Sequence, residues 1–168
     1  MSILNDINAL ITEGYLLLEK QEEPQDQTTE FVLHKHVADK AGLHWDLRIK
    51  RLDRNTVSSF AIPEAKIPKG TKDKVLCVTN FEHDPKWTKI KSVKIPSGYG
   101  AGTISTLQQG EMIVHRWESD NSRINFTVKS KSRKFLNGTY YLIQPKFKTS
   151  KVKDRKSQFL LFKSKTQK

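Results

Sequence analysis

Three of the chain's five histidines fall within eleven residues, in the stretch LHKHVADKAGLHWDLRIK (33–50). They are His34, His36 and His44, and Asp46 and Arg48 follow at intervals of two. Side chains alternate faces along a strand. On that reading His44, Asp46, Arg48 and Lys50 share one face of LHWDLRIK, and Leu43, Trp45, Leu47 and Ile49 share the other. His34 and His36 likewise share a face of FVLHKH. If the two segments pair across the VADKAG turn, both polar sets meet on one surface. Two imidazoles and a carboxylate make a mixed nitrogen and oxygen donor set with coordination positions left open, which suits a divalent metal. Arg48 would then lie beside the metal, where its forked donors match a phosphate. Metal and arginine together can polarise a phosphoryl group and stabilise the charge that develops on it. The same pattern also fits an amphipathic edge strand whose polar face meets water, although such strands usually carry Lys, Glu, Thr and Ser. Spacing alone leaves both readings open.

The elements that must hold these residues are mostly strands. Residues 3–19 space Ile3, Leu4, Ile7, Leu10, Ile11, Leu17 and Leu18 as a helix does, with Gly14 weakening the middle. The polar QEEPQDQTTE (21–30) reads as a linker. From residue 31 the period becomes two, through FVLHKH, LHWDLRIKRL, TVSSFAIP, KVLCVTNF, GTISTLQQGEMIVHRWE, RINFTVKS, GTYYLIQPKF and SQFLLFKS. Turn residues separate them. Many short strands with few helices predict a β-barrel or sandwich. The expected organisation is an N-terminal helix and linker over 1–30 and a β-domain over 31–168. Cys77, the one cysteine, reads as a buried small hydrophobe. Trp45 and Trp117 read as core residues, and His115 as a satisfied or surface histidine. Of the adjacent Tyr140 and Tyr141, one is expected in the core and one outside. The glycines of SGYGAG read as a tight turn more than as a phosphate cradle.

The net charge is +12 and unevenly placed. Residues 129–168 carry thirteen Lys and Arg against one acid, whereas residues 1–30 carry seven acids and one base. Such an asymmetry points to a polyanion, most often nucleic acid, over a merely solvated basic face. Lys151, Lys153, Arg155 and Lys156, in the basic run KFKTSKVKDRKS, are placed to track a phosphate backbone. No apolar run approaches the ~20 residues that span a bilayer. The N-terminus lacks the basic start of a secretory signal. The single cysteine favours a reducing, intracellular (cytoplasmic) setting.

The stretch FVLHKH…LHWDLRIK resembles the 3′-phosphoesterase domain of bacterial DNA ligase D and its stand-alone relatives. That family reads as a strand ending in Lys-His, a short turn, then Leu-His-Tyr-Asp-Phe-Arg. SSFAIPEAKIPKG, VLCVTNFEHDPKW, IPSGYGAGTI, LNGTYYLI and QFLLFKS resemble further family segments in the same order, so the likeness covers about residues 31–164. The resemblance implies a compact antiparallel β-barrel with short flanking helices. It implies a manganese-dependent activity on nucleic-acid 3′ ends, removing a terminal ribonucleoside and then the 3′-phosphate. Zinc or another transition metal is the alternative ion. Carried over by position, His36, His44 and Asp46 would be metal ligands, Arg48 and His83 would act on the scissile phosphate, and Trp87 and Lys66 would contact substrate. His34 stands where the family has a glutamine and is a rival or supporting ligand. Trp87 stands where it has a tyrosine, and Glu64 where it has a lysine; the turn between His36 and His44 is two residues longer, and the Gly-rich turn one shorter. A monomer acting on DNA ends or RNA-tipped DNA ends is expected, with any joining step left to a separate DNA ligase. The runner-up reading is a catalytically weak or inactive relative that binds ends and recruits a ligase.

Overall fold

The computed structural model describes residues 26–79, 82–145 and 158–165. Nine strands follow one another: β1 (Gln27–Ala38), β2 (Gly42–Lys50), β3 (Val57–Ile62), β4 (Lys74–Thr79), β5 (Ser92–Ile95), β6 (Gly102–Trp117), β7 (Arg123–Val128), β8 (Gly138–Ile143) and β9 (Gln158–Lys163). They pair antiparallel in the order β1-β2-β3-β4-β9-β8-β7-β6, and β6 returns to β1. Eight strands thus close a β-barrel, as expected. β5 pairs with the start of β6 outside that circuit and is too short for alternation to predict.

The described residues do not show the expected short flanking helices. Among the described residues the only helical element is a single 3-10 turn, Pro85–Thr88. The described connections are rich in Pro, Gly and Lys and offer no apolar stripe, without which a short helix has little to hold it. The helix expected over 3–19 lies outside the described residues. β1 starts at Gln27, inside the stretch read as linker, because Gln27–Glu30 pair with Glu111–Val114 of β6. Among the described residues no helix is long and apolar enough to cross a membrane.

Alternation builds the interior. Phe31 and Leu33 of β1, Leu47 and Ile49 of β2, Phe60 and Ile62 of β3, Val75 and Cys77 of β4 all enter one core. They meet Met112, Ile124, Phe126, Tyr140, Leu142, Phe159 and Leu161 from the far wall. Burial pushes the Cys77 thiol up to about 12, so it behaves as a hydrophobe. Tyr140 is in the core, and Tyr141 is half-buried on the outer face. Trp45 and Trp117 pack on the edge of the core rather than within it.

β6 runs sixteen residues and is bulged. Leu33 pairs with Gln108 while His34 pairs with Thr106, so Leu107 is an extra residue. Beyond the bulge Met112 and Val114 face the core. Before it, Ile104 and Thr106 lie opposite His36 and His34 and share their face.

Candidate metal and phosphate site

The β1–β2 hairpin positions the polar cluster. Its three-residue tip, 39–41, leads into Gly42, whose φ of 73° is natural only for glycine. The register sets His36 opposite His44, His34 opposite Asp46 and Val32 opposite Arg48. All five polar side chains therefore emerge on one face, the outer face of the barrel wall. Little of that face meets water. The chain from residue 82 to residue 100 crosses it, and His34, His36, Asp46 and Arg48 are all buried.

The covering segment is fixed at both ends. His83 exchanges two backbone hydrogen bonds with Val57, each 2.9 Å. Asp84 caps the 3-10 turn by accepting from the Lys86 amide, with Pro85 at its first position. Glu30 of β1 accepts from the Thr88 hydroxyl (3.2 Å) and from the Lys89 ammonium (2.5 Å). At the other end Gly98 and Gly100 take positive φ, and a Cβ at Gly102 would meet the Val37 carbonyl oxygen at 2.2 Å. The SGYGAG segment is a tight turn, as expected, and its Gly100 carbonyl also serves the site.

His36 donates from Nε2 to the Gly100 carbonyl at 3.0 Å. His44 donates from Nδ1 to the Gly42 carbonyl at 3.1 Å. In each ring the other nitrogen lies beside Asp46. His36 Nδ1 is 3.4 Å from Asp46 Oδ2, and His44 Nε2 is 3.6 Å from Asp46 Oδ1. The three ligand atoms lie within 4.8 Å of one another. Asp46 Oδ1 is buried and makes no hydrogen bond to any described residue. A proton on either ring, or a cation held among the three groups, compensates the buried carboxylate. Two ligands ~2.1 Å from one tetrahedral ion are separated by ~3.4 Å, close to the spacing here. The donor set and its backbone supports therefore fit a divalent ion.

Arg48 lies beside this set. Its Nη2 donates to Asp46 Oδ2 at 3.1 Å and its Nη1 to His34 Nδ1 at 2.5 Å. His34 in turn donates from Nε2 to the Ile90 carbonyl at 2.9 Å, a carbonyl shared with the Thr106 hydroxyl at 2.8 Å. Both nitrogens of His34 are thus committed to neighbours and it supports Arg48 rather than joining the ligand cluster. Burial pulls the His34 pKa down to about 4, so the ring is neutral and can accept from the guanidinium. The Trp87 ring covers Arg48, whose guanidinium carbon is 4.5 Å from the ring centre. Trp87 also meets His83 edge-on at 5.8 Å. Burial, and then the charge of Arg48, hold His83 below the usual histidine range.

Lys66 does not reach this face. It pairs with Glu64 at 2.9 Å and lines a groove with Lys35 and Trp45, on the opposite face of the hairpin. Lys151, Lys153, Arg155 and Lys156 lie outside the described residues. Residues missed from sequence are main-chain ones, the carbonyls of Gly42, Ile90 and Gly100, which leave no side-chain signal. Ser59, opposite Arg48 on β3, was missed too; its hydroxyl is buried with no hydrogen bond to a described residue.

A family model for the DNA ligase D 3′-phosphoesterase domain matches residues 34–166. The chain belongs to the DNA ligase D 3′-phosphoesterase domain family. No curated protein matches it. His44 is the most open of the cluster, its side chain 13% exposed against 3% for Asp46.

Proposed function

We propose that this chain is a metal-dependent phosphoesterase that heals nucleic-acid 3′ ends, removing a 3′-terminal ribonucleoside and then the 3′-phosphate to leave a 3′-hydroxyl. The observation that carries this reading is Asp46 Oδ1, a buried carboxylate oxygen without a hydrogen bond to a described residue, with His44 Nε2 3.6 Å away and His36 Nδ1 3.4 Å from its sister oxygen. His36, His44 and Asp46 would hold the ion. The mixed donor set suits manganese, with zinc or another transition metal as alternatives. When bound, the ion supplies Lewis-acid polarisation of a phosphoryl oxygen and a water of lowered pKa.

The chain's own residues do the rest. Arg48 is held in one orientation by Asp46 and His34, so it meets a phosphate already aligned. Trp87 keeps water from its face. His83 lies beside Trp87 and would contact the scissile phosphate from that side. The product, a 3′-hydroxyl, is the group that a separate DNA ligase requires.

The test is incubation of a primer–template ending in a 3′-phosphate, and another ending in a 3′-ribonucleotide, with protein and manganese. Appearance of a 3′-hydroxyl that a chelator prevents supports the enzyme. Tight binding without conversion would leave an end-binding module that recruits a ligase.

A further inference from the structure

The β1–β2 hairpin has a second surface behind the ligand cluster. Lys35 and Trp45 are cross-strand partners between the His34–Asp46 and His36–His44 pairs, so they point the opposite way. With Leu43 they line a groove of about 1650 Å³. It continues past the 65–69 loop and the 133–137 loop to β7, β8 and the end of β9. Seven of its described lining residues are Lys or Arg, and none is Asp or Glu.

Aromatic faces are set among these charges. Trp45 meets Phe135 edge-on at 5.6 Å, and the Lys134 ammonium lies 5.4 Å from the Phe135 ring centre. Tyr141 stacks on Phe162 at 5.5 Å and carries the Arg123 guanidinium at 5.3 Å. Cations match a phosphate backbone whatever its form. Aromatic faces reward only bases free to leave their own stack, which a duplex does not offer. A groove that combines the two is built for an unpaired strand.

We propose that this groove binds single-stranded nucleic acid. The inference rests on the 3′-end reading above and adds to it the form of the nucleic acid and a second contact surface. The barrel wall at the hairpin is one strand layer thick. An end engaged on the face of His36, His44 and Asp46 would then have an unpaired strand pass over the hairpin tip and lie along the face of Lys35 and Trp45.

The test is fluorescence anisotropy on the full chain with a labelled oligodeoxythymidine of about ten nucleotides. It ends in a 3′-hydroxyl and the buffer contains a chelator, so neither metal nor turnover contributes. Combined Arg133→Gln, Lys134→Gln and Lys163→Gln is expected to weaken binding at least ~10-fold and to reduce the log–log salt slope by ~2, at ~0.7 per lost contact. Tyr141→Leu, a change that strands tolerate, is expected to weaken the oligonucleotide by ~5-fold or more while a blunt duplex is unaffected. Unchanged affinity and slope in the triple variant would overturn the proposal, as would equal losses for single strand and duplex in Tyr141→Leu. Release of 3′-phosphate is followed separately on wild-type protein. Release without a groove effect defeats only the groove; a groove effect without release defeats only the catalytic reading.

Discussion

Arg48 Nη1 donates to His34 Nδ1 across the β1–β2 hairpin at 2.5 Å, and His34 passes that constraint to the backbone at Ile90. The histidine acts as a strut between the barrel wall and the segment that covers it. Its ring can accept from Arg48 only while neutral, and burial keeps it so.

His34→Ala should therefore free the guanidinium without touching the ligand set. Misplacement of a catalytic group by about 1 Å costs ~10²-fold, and a loss of that order in single-turnover release of 3′-phosphate is expected. His34→Gln, whose amide oxygen can accept, should retain activity within ~10-fold. Manganese affinity measured by calorimetry should be nearly unchanged in both. A His34→Ala variant of full activity would remove the strut from the account.

Substitutions in the ligand set should separate binding from folding. Asp46→Asn keeps the side chain's shape and its acceptor for Arg48 but removes the charge, and it should abolish manganese binding by calorimetry. Asp46→Ala should also lower stability, because Arg48 would be left as a buried unpaired charge, a loss of ~3–5 kcal/mol at most. His44→Ala, at the open edge, should lose the metal with the melting temperature little changed. Full manganese occupancy in either Asp46→Asn or His44→Ala would refute the ligand assignment.

Trp87 offers its face to Arg48. A cation–π contact of this kind contributes ~0.5–2 kcal/mol, so Trp87→Ala should reduce kcat/KM by roughly 2- to 30-fold. Trp87→Tyr keeps an aromatic face and should stay close to wild type. A Trp87→Tyr enzyme much faster than wild type would show instead that an ionisable hydroxyl is wanted at that position.

Asp53 gives the pH dependence a defined sign. Its carboxylate accepts two bonds from Arg51, at 2.7 and 2.9 Å, and these hold its pKa at about 2. The folded value lies below the unfolded one, so this pair stabilises the fold above the unfolded pKa of ~3.9 and stops doing so as pH falls towards 2. The side chain is 55% exposed, so the effect is small and screened by salt. Asp53→Asn should lower the urea midpoint at pH 6 and change it much less at pH 2, measured against wild type.

The cluster was legible because strand alternation is a local rule. His36, His44, Asp46 and Arg48 share a face by parity alone, and the register of a short hairpin brings the two strands together. The burial of that face was not legible, since it depends on a segment some forty residues further on, whose fixing points are backbone bonds at Val57 and His83. The polar start of β1 at Gln27–Glu30 hid a strand, because its partners lie in β6 and its own composition looks like a linker. Lys66 lies apart from the histidine cluster for a related reason. Ala65 takes a positive φ of 48° after β3 and the chain turns towards the groove, a bend that side-chain types do not announce.

The extra residue at Leu107 makes β6 a strand of two phases. Before it, Ile104 and Thr106 belong to the ligand face; after it, Met112 and Val114 belong to the core. Deleting a single residue there would restore one phase and turn Ile104 and Thr106 towards the other side of the wall. Loss of two residues would keep the phase and shorten only the strand. Lengths in this part of the chain can therefore drift between relatives in even steps far more readily than in odd ones, and a relative that lacks the bulge must rebuild whatever supports its counterpart of His34.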